Sequence, residues 1–418
     1  MQIADVLLAP GRGAFFYDDQ AAIREGREQD GVSYLGAPIT PGFAQVRQPS
    51  TALSIGLVLE DGMVIWGDMV SVQYSGAAGR DPLFDPAKIE AICRQVLIPR
   101  LVGLDAVQGA ANCSTALAFT GSGRLPLAIE YGASQALLKA EAYTRRITLA
   151  EAVAEWLGLP PPTEPVPIFA QSGDERRSNV DTMILKQVDV LPHGLINSAE
   201  KFGREGQVFS DYVAWVAQRI GALGAEGYHP DLHFDVYGWV GLGIGTEPRK
   251  VAEYIARVAE RVPDYILNIE CPVDYGNRAA QIENYAAIVE HVDALADNAR
   301  IVADEHCNTL DDIEAFIAAR AAHVIQVKTP DVGSLLDTAR AIVAAREAGI
   351  GAYSGGTSAE TDESARACVN VALAARASMM LAKPGMGVNE GITIVGNEQA
   401  RTLATIRARL KRKLLHAR

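Results

Sequence analysis

Charged residues end a series of short apolar runs in the second half of the chain. Four such runs lie between positions 232 and 328, and they end at Asp235, Glu270, Asp304 and Lys328. Runs of this length, rich in β-branched residues and followed by helical patterns, predict buried parallel strands. The intervals are longer than the dozen or so residues that a crossover needs. We therefore expect the four side chains to lie at one edge of one sheet.

The three carboxylates would repel one another at this edge unless a cation lay between them. Ligands that are all oxygen suit a hard ion such as Mg²⁺ rather than zinc, so Asp235, Glu270 and Asp304 are candidate Mg²⁺ ligands. Lys328, one strand further round, is a candidate general base. His233 lies two residues before Asp235 and faces the same side, where we expect it to be a buried polar residue.

The chain after residue 160 alternates predicted strands with helical patterns. This alternation predicts a (β/α)₈ barrel, in which charged residues at the C-terminal ends of strands indicate catalysis. The eight predicted strands are Pro167–Ala170, Val188–Leu191, Leu232–Asp235, Tyr265–Glu270, Arg300–Asp304, His323–Lys328, Gly349–Tyr353 and Met379–Ala382.

Lys328 and His193 follow the sixth and second of these strands, which lie on opposite sides of the barrel mouth. A metal with one base on each face suits proton abstraction next to a carboxylate. A positioned base contributes only ~10²–10⁴-fold, about 3–5 kcal/mol. The rest of the rate acceleration must come from a divalent ion that stabilises the enediolate, the species formed when the negative charge moves onto the carboxylate. Lysine serves as the base where burial or neighbouring cations lower its pKa.

Neutral hydrogen-bonding residues end other predicted strands and suit the carboxylates and amine of a small polar substrate. Gly355 and Gly356, which precede Thr357, predict that backbone N–H groups approach an anion at a helix start. The neutral residues are Gln171, Gln326, Thr357 and Ser358.

The first 160 residues predict an α+β domain. Ile3–Leu8 predicts a strand, residues 10–50 predict long loops, and residues 53–70 predict a hairpin around Asp61-Gly62. Residues 73–82 lack the Gly-Lys-Ser/Thr of a phosphate loop and predict a mobile loop over the active site. The proline-rich segment 160–165 is the expected boundary between domains 1–160 and 161–418.

Composition excludes several classes of protein. A net charge of −13 argues against a nucleic-acid partner. Scattered cysteines without a Cys-x-x-Cys pattern argue against disulfides and favour the cytoplasm. Met1–Pro10 lacks the basic start of a signal peptide, and the absence of an uncharged apolar run of about 18 residues argues against a membrane span.

The chain resembles the methylaspartate ammonia-lyase family of the enolase superfamily over almost its whole length. The resemblance implies an α/β fold: an enolase-like modified (β/α)₈ TIM barrel with an N-terminal α+β capping domain. The motifs that carry it are residues 73–76 (QYSG), 169–174 (FAQSGD), 190–193 (VLPH), 235–238 (DVYG), 303–309 (ADExCNT), 326–331 (QVKTPD), 355–357 (GGT) and 381–387 (LAKPGMG).

The resemblance implies elimination of ammonia from L-threo-3-methylaspartate to give mesaconate. It assigns Asp235, Glu270 and Asp304 to Mg²⁺, Lys328 to the (3S) proton, and His193 to the opposite face, where it acts on the erythro epimer. A homodimer and activation by K⁺ are further implications of the family.

The same resemblance assigns the substrate contacts. Gln171 and Gln326 are expected to hold the metal-bound carboxylate, with His193 within reach of it. The residues expected near the other carboxylate and the amine are Gln73, Thr357 and Ser358. Leu381 is expected to line a pocket for the methyl group.

Two positions depart from the family pattern, and two other functions stay open. Ser358 stands where the pattern has Cys, which predicts altered affinity or substrate preference. Cys271 stands where it has Gly, with little expected consequence. The first alternative is another enolase-superfamily epimerase, racemase or cycloisomerase; many of these carry a Lys-x-Lys pair at strand two, where Lys186 stands alone. The second is a non-enzymatic barrel, but none of the expected ligands or bases is missing.

Overall fold

The computed structural model describes residues 1–118 and 124–416. Among these residues, no helix is both long and apolar enough to cross a membrane. The strands are β1 (Ile3–Asp18), β2 (Gln29–Asp30), β3 (Ser33–Tyr34), β4 (Arg47–Leu59), β5 (Val64–Met69), β6 (Ile168–Phe169), β7 (Val190–His193), β8 (Asp231–Asp235), β9 (Leu267–Glu270), β10 (Ala299–Ala303), β11 (Val324–Val327), β12 (Gly351–Ser354) and β13 (Met379–Leu381).

Helices connect most of these strands. They are α1 (Gln20–Arg24), α2 (Pro86–Ile92), α3 (Ile98–Leu101), α4 (Gly109–Ala116), α5 (Leu127–Arg145), α6 (Leu149–Trp156), α7 (Ser178–Leu185), α8 (Ala199–Phe202), α9 (Gln207–Leu223), α10 (Trp239–Ile244), α11 (Pro248–Ala259), α12 (Arg278–Leu295), α13 (Leu310–Ala318), α14 (Thr329–Val332), α15 (Leu335–Glu347), α16 (Asp362–Ala375) and α17 (Asn389–His416). Short π- and 3₁₀-helical turns cover Cys93–Leu97, Ala106–Gln108 and Arg204–Gly206.

The N-terminal part is built on an antiparallel sheet of order β1-β4-β5, against which α5 packs. The predicted hairpin is present, with the backbone N–H of Met63 donating to Asp61 at 3.0 Å across the turn. The prediction of long loops over residues 10–50 was wrong in part. β1 continues through Pro10 and Gly11 to Asp18, because β4 pairs with it along this length, with a register shift between Arg12 and Phe16.

The second part closes into a parallel barrel of order β6-β7-β8-β9-β10-β11-β12-β13 in the described part of the chain. Each predicted strand overlaps one of these, so the predicted barrel is confirmed. Asp235 pairs in register with Glu270, and Val302 on the next strand also pairs with Glu270. The C-terminal ends of these strands therefore bring their final side chains to one mouth of the barrel.

The N-terminal sheet reaches this mouth through the segment that follows β5. The backbone N–H of Asp18 donates to the Gln73 carbonyl at 2.9 Å, and that of Ala14 donates to the Glu360 carbonyl at 3.0 Å. Gln73 and Arg80 in this segment are buried. The segment predicted to be a loop over the active site therefore lies packed across the mouth.

Candidate active site

The predicted carboxylate cluster is present at the barrel mouth. Asp235 ends β8, Glu270 ends β9, and Asp304 directly follows β10. One oxygen from each lies within 4.8 Å of the other two, and all three residues are buried. The all-oxygen donor set and its close spacing would suit a hard cation such as Mg²⁺ or Ca²⁺.

Electrostatics around the cluster favour a positive ion. Burial and the neighbouring carboxylates of Glu270 and Glu305 raise the pKa of Asp235 well above its ordinary value. Glu270 is oriented by hydrogen bonds from the Tyr353 hydroxyl at 2.8 and 2.9 Å and by His233 Nε2 at 2.7 Å. His233 is fully buried, as predicted. The donor set and its crowding of negative charge fit a divalent cation.

Left-handed backbone follows each carboxylate. Tyr237 has φ 47°, Cys271 φ 47° and His306 φ 62°. A non-glycine residue in this region costs about 1–2 kcal/mol. The turn after β8 also lets the Tyr237 N–H donate to Asp235 at 3.0 Å. The departure from glycine at Cys271 thus adds backbone strain but leaves Glu270 in the cluster.

Lys328 directly follows β11 and lies against the cluster. Its Nζ is 2.7 Å from one oxygen of Asp304 and 2.9 Å from the other. Burial and the nearby Arg80 guanidinium lower the pKa of Lys328, but the carboxylates of Asp304 and Glu305 outweigh them and the pKa is raised. A cation bound to Asp304 would neutralise the carboxylate that most strongly raises the pKa of Lys328. The expected lowering of the Lys328 pKa therefore depends on that cation.

Arg80 is a site residue that the sequence analysis missed. Its Nε is 2.9 Å from Asp331, and its Nη2 is 3.3 Å from Asp304. Among the described residues, Nη1 has no hydrogen-bond partner. The ion pairs of Arg80 thus connect the segment after β5 to the barrel, and its positive charge lies beside that of Lys328.

His193 ends β7 and faces the cluster from the other side. Its Nε2 is 3.6 Å from Asp235, too far for a hydrogen bond. Burial lowers the pKa of His193 to about 4. Burial thus favours the neutral form of the imidazole, which is the form that a base requires.

A central cavity of about 40 Å³ joins these groups. Several buried polar atoms around it lack a partner among the described residues, including Gln171 Nε2, His193 Nδ1 and Gln326 Oε1. Unpaired buried polar atoms are costly unless a ligand satisfies them. The predicted site residues that line the cavity are Gln73, Gln171, His193, Asp235, Asp304, Gln326, Lys328, Thr357, Ser358 and Leu381; Glu270 lies against it through Tyr353 and Gln326.

The prediction that a helix starts directly after Gly355-Gly356 is wrong, whereas Gly356, Thr357 and Ser358 do line the cavity. The helix that follows begins at Asp362, and the Thr357 N–H donates to Glu360 at 3.1 Å. Gly356 is needed for another reason: a Cβ there would lie 2.4 Å from Lys383 Nζ and 2.2 Å from Glu360 Oε1. The Thr357 side chain instead accepts a hydrogen bond from the Gln73 N–H at 3.0 Å.

Lys186, the residue relevant to an epimerase, is not at the mouth. It is exposed, follows α7 before the start of β7, and its Nζ contacts Asn389. The chain therefore lacks a lysine at the position where those enzymes carry their pair, and His193 occupies that end of β7.

Family comparison identifies the chain. Residues 1–158 match the family described as "Methylaspartate ammonia-lyase N-terminus", and residues 162–408 match "Methylaspartate ammonia-lyase C-terminus". The chain belongs to the methylaspartate ammonia-lyase family. Methylaspartate ammonia-lyase 1 of Carboxydothermus hydrogenoformans is 47% identical over 97% of each chain, and the family member of Haloarcula marismortui is 44% identical over 97% of each chain.

Solved structures of the methylaspartate ammonia-lyase family share the fold. The Citrobacter amalonaticus enzyme, crystallised with (2S,3S)-3-methylaspartic acid, gives a TM-score of 0.94 at 44% identity and covers 97% of this chain and 100% of its own. A Mg complex of beta-methylaspartase from Clostridium tetanomorphum gives 0.91 at 42% identity over 98% and 100%. Muconate lactonizing enzyme from Pseudomonas putida, at 15% identity, TM-score 0.58 and coverage of 89% and 85%, shares the fold alone.

Proposed function

We propose that this protein eliminates ammonia from L-threo-3-methylaspartate to give mesaconate, reversibly. The observation that carries the proposal is the arrangement of Lys328 and His193 on two sides of one cavity that also contains the carboxylate cluster. Supporting it, a 47% identical relative is named methylaspartate ammonia-lyase, and a 44% identical structure contains the substrate in its (2S,3S) form.

We propose Mg²⁺ as the cation held by Asp235, Glu270 and Asp304. Carboxylate oxygens are its usual protein ligands, and a 42% identical relative was crystallised as a Mg complex. When bound, Mg²⁺ supplies Lewis-acid stabilisation of the negative charge that develops on a substrate carboxylate.

Lys328 Nζ removes the C3 proton in this proposal. The electron pair of the C3–H bond becomes the second bond between C3 and C2. The C2–N bond of the substrate ammonium breaks, and ammonia leaves with the electron pair of that C2–N bond. The positive charge of Arg80 lowers the pKa of Lys328 and so favours the neutral amine. His193 takes the proton from the opposite face when the erythro epimer is bound.

The neutral side chains bind and orient the substrate. We assign Gln171 and Gln326 to the carboxylate beside C3; the unpartnered Nε2 of Gln171 is a donor that this carboxylate can accept from. Gln73, Thr357 and Ser358 face the other carboxylate and the amine, and Leu381 packs against the methyl group. All of these residues line the cavity.

The domain division and the cellular setting are part of the proposal. We propose domains 1–160 and 161–418, since the segment between α6 and β6 has no regular structure and the two family matches meet there. We further propose a homodimer in the cytoplasm with K⁺ as an additional activator, on the basis of the family resemblance. Sedimentation and activity measured with K⁺ replaced by Na⁺ test the assembly and the activator.

Absorbance at the ultraviolet enoate band, followed after mixing the protein with threo-3-methylaspartate and Mg²⁺, tests the function. A rise with one ammonia released per enoate is the expected result. Absence of a rise, with no deuterium from solvent entering C3, would refute the proposal. Deuterium entry without a rise would retain the base and the metal but reject elimination.

Replacement of Ser358 by Cys is expected to lower the KM for methylaspartate by about 2–10-fold, the range of one neutral hydrogen bond. The Ser358 hydroxyl donates to Gln73 Oε1 at 3.1 Å and so competes with the substrate amine for that oxygen. A thiol is a weaker donor. Ser358→Ala is the matched variant and is expected to act in the same direction. A higher KM in both variants would mean that the hydroxyl binds substrate instead.

A further inference from the structure

Asp18, a carboxylate outside the central cavity, forms hydrogen bonds with Gln73, one of the residues that line the cavity. Asp18 is the last residue of β1 and is fully buried. Gln73 Nε2 donates to Asp18 Oδ2 at 2.7 Å. The two residues are also joined through the backbone, since the Asp18 N–H donates to the Gln73 carbonyl at 2.9 Å.

This contact fixes which end of the Gln73 amide faces the cavity. The two ends of an amide have almost the same shape, but one donates hydrogen bonds and the other accepts them. A carboxylate only accepts, so Asp18 selects the NH₂ end of Gln73. The Oε1 end is thereby directed to the other side, where it accepts a hydrogen bond from Ser358 at 3.1 Å.

Asp18 is itself held in place. Arg47 donates to its two oxygens at 2.7 and 2.8 Å, and the Arg47 side chain is also buried. The guanidinium lies 5.0 Å from the centre of the Tyr34 ring and 5.4 Å from that of Phe15. A bidentate pair enclosed by aromatic rings is rigid, so Asp18 cannot turn to release Gln73.

We infer that Asp18 is a positioning residue for recognition of the amino group: it keeps the oxygen of Gln73, rather than the nitrogen, turned toward the amine of the substrate. An ammonium group has only N–H donors and needs an acceptor. An inverted Gln73 amide would present N–H groups to it and repel it. This inference rests on the proposed function, because it assumes a substrate with an amine.

Asp18→Asn tests the inference with little change in shape. The asparagine side chain has one oxygen in place of two and no charge. Its NH₂ group therefore faces a donor on either side, and Gln73 loses its charged, firmly held partner. The two readouts are the KM for methylaspartate and the Ki for methylsuccinate, which has the same carbon skeleton and both carboxylates but no amine. We expect the KM to rise about tenfold or more, the range of a hydrogen bond to a charged group. We expect the Ki to stay within about twofold, because the carboxylate contacts persist.

Equal weakening of both ligands would show a general distortion and would overturn the inference, as would an unchanged KM. Asp174→Asn is the matched control, since Asp174 lies 3.7 Å from Arg47 but does not contact Gln73; both constants are expected to stay unchanged. Should Asp18→Asn fail to fold, the double variant Asp18→Asn/Arg47→Gln replaces the buried charge pair by two amides and carries the same test. Failure of both to fold would assign Asp18 to folding and reject the positioning role.

The wild-type enzyme separates this inference from the proposed function. Mesaconate formation by the wild type with an unaltered KM in the Asp18→Asn variant would reject only the role of Asp18. No mesaconate from the wild type would reject the proposed function together with the inference that rests on it.

Discussion

Lys328→Ala is expected to lower kcat on L-threo-3-methylaspartate by at least ~10²–10⁴-fold, the contribution of a positioned general base. The Lys328 amine lies in the cavity against Asp304, on the side opposite to His193. Alanine leaves no group there to take the C3 proton. Steady-state formation of mesaconate and entry of solvent deuterium into C3 both measure the loss.

His193→Ala is the matched variant for this prediction. It removes the base that we propose for the other face, so turnover of the erythro epimer is expected to fall by a similar factor while the threo substrate still reacts. Opposite selectivity of the two variants would be difficult to explain by misfolding. Wild-type rates of deuterium exchange in a folded Lys328→Ala protein would contradict the assignment of the base.

Removal of divalent metal is expected to abolish activity, and added Mg²⁺ is expected to restore it. Asp235, Glu270 and Asp304 form a buried cluster of negative charge, so a cation also stabilises the folded protein. At about 100 times its Kd, Mg²⁺ should raise the free energy of unfolding by about 2.7 kcal/mol. Thermal unfolding with and without Mg²⁺ measures this effect independently of turnover.

Asp235→Asn is expected to lose both the activity and most of the stabilisation by Mg²⁺, because it removes one charged ligand of the cluster. Asp231→Asn, at the opposite end of the same strand β8, is the control and should keep both. Full activity after exhaustive chelation, together with an unfolding temperature insensitive to Mg²⁺, would rule out the metal site.

The residues of the cluster could be predicted from sequence, because the place of a strand end in a parallel barrel can be predicted without knowledge of individual contacts. The C-terminal ends of all strands in the barrel lie at the same mouth. The positions of Asp235, Glu270 and Asp304 at strand ends were therefore sufficient to predict that they lie together. The same reasoning placed Lys328 and His193. The eight strands were recognisable because short buried β-branched runs alternate with helical patterns in this part of the chain.

Other features depend on contacts that no local pattern contains. Arg80 lies in an irregular segment, and only the packing of that segment over the mouth brings it to Asp331. Asp18 was missed because Pro10 and Gly11 indicate a loop in the sequence. Strand β1 continues through them only because it pairs with β4. Tyr353 ends a predicted strand like the other residues, but tyrosines are frequent in strands, so its bonds to Glu270 had no distinct signal.

Two residues that we propose for recognition of the amine come from a different part of the chain from the two proposed bases. The groups near the amine, Asp18 and Gln73, come from the N-terminal sheet and the segment after it, whereas Lys328 and His193 are fixed by barrel strands. Substitutions at Asp18 and Gln73 are therefore expected to change recognition of the amine while the barrel strands keep Lys328 and His193 in place.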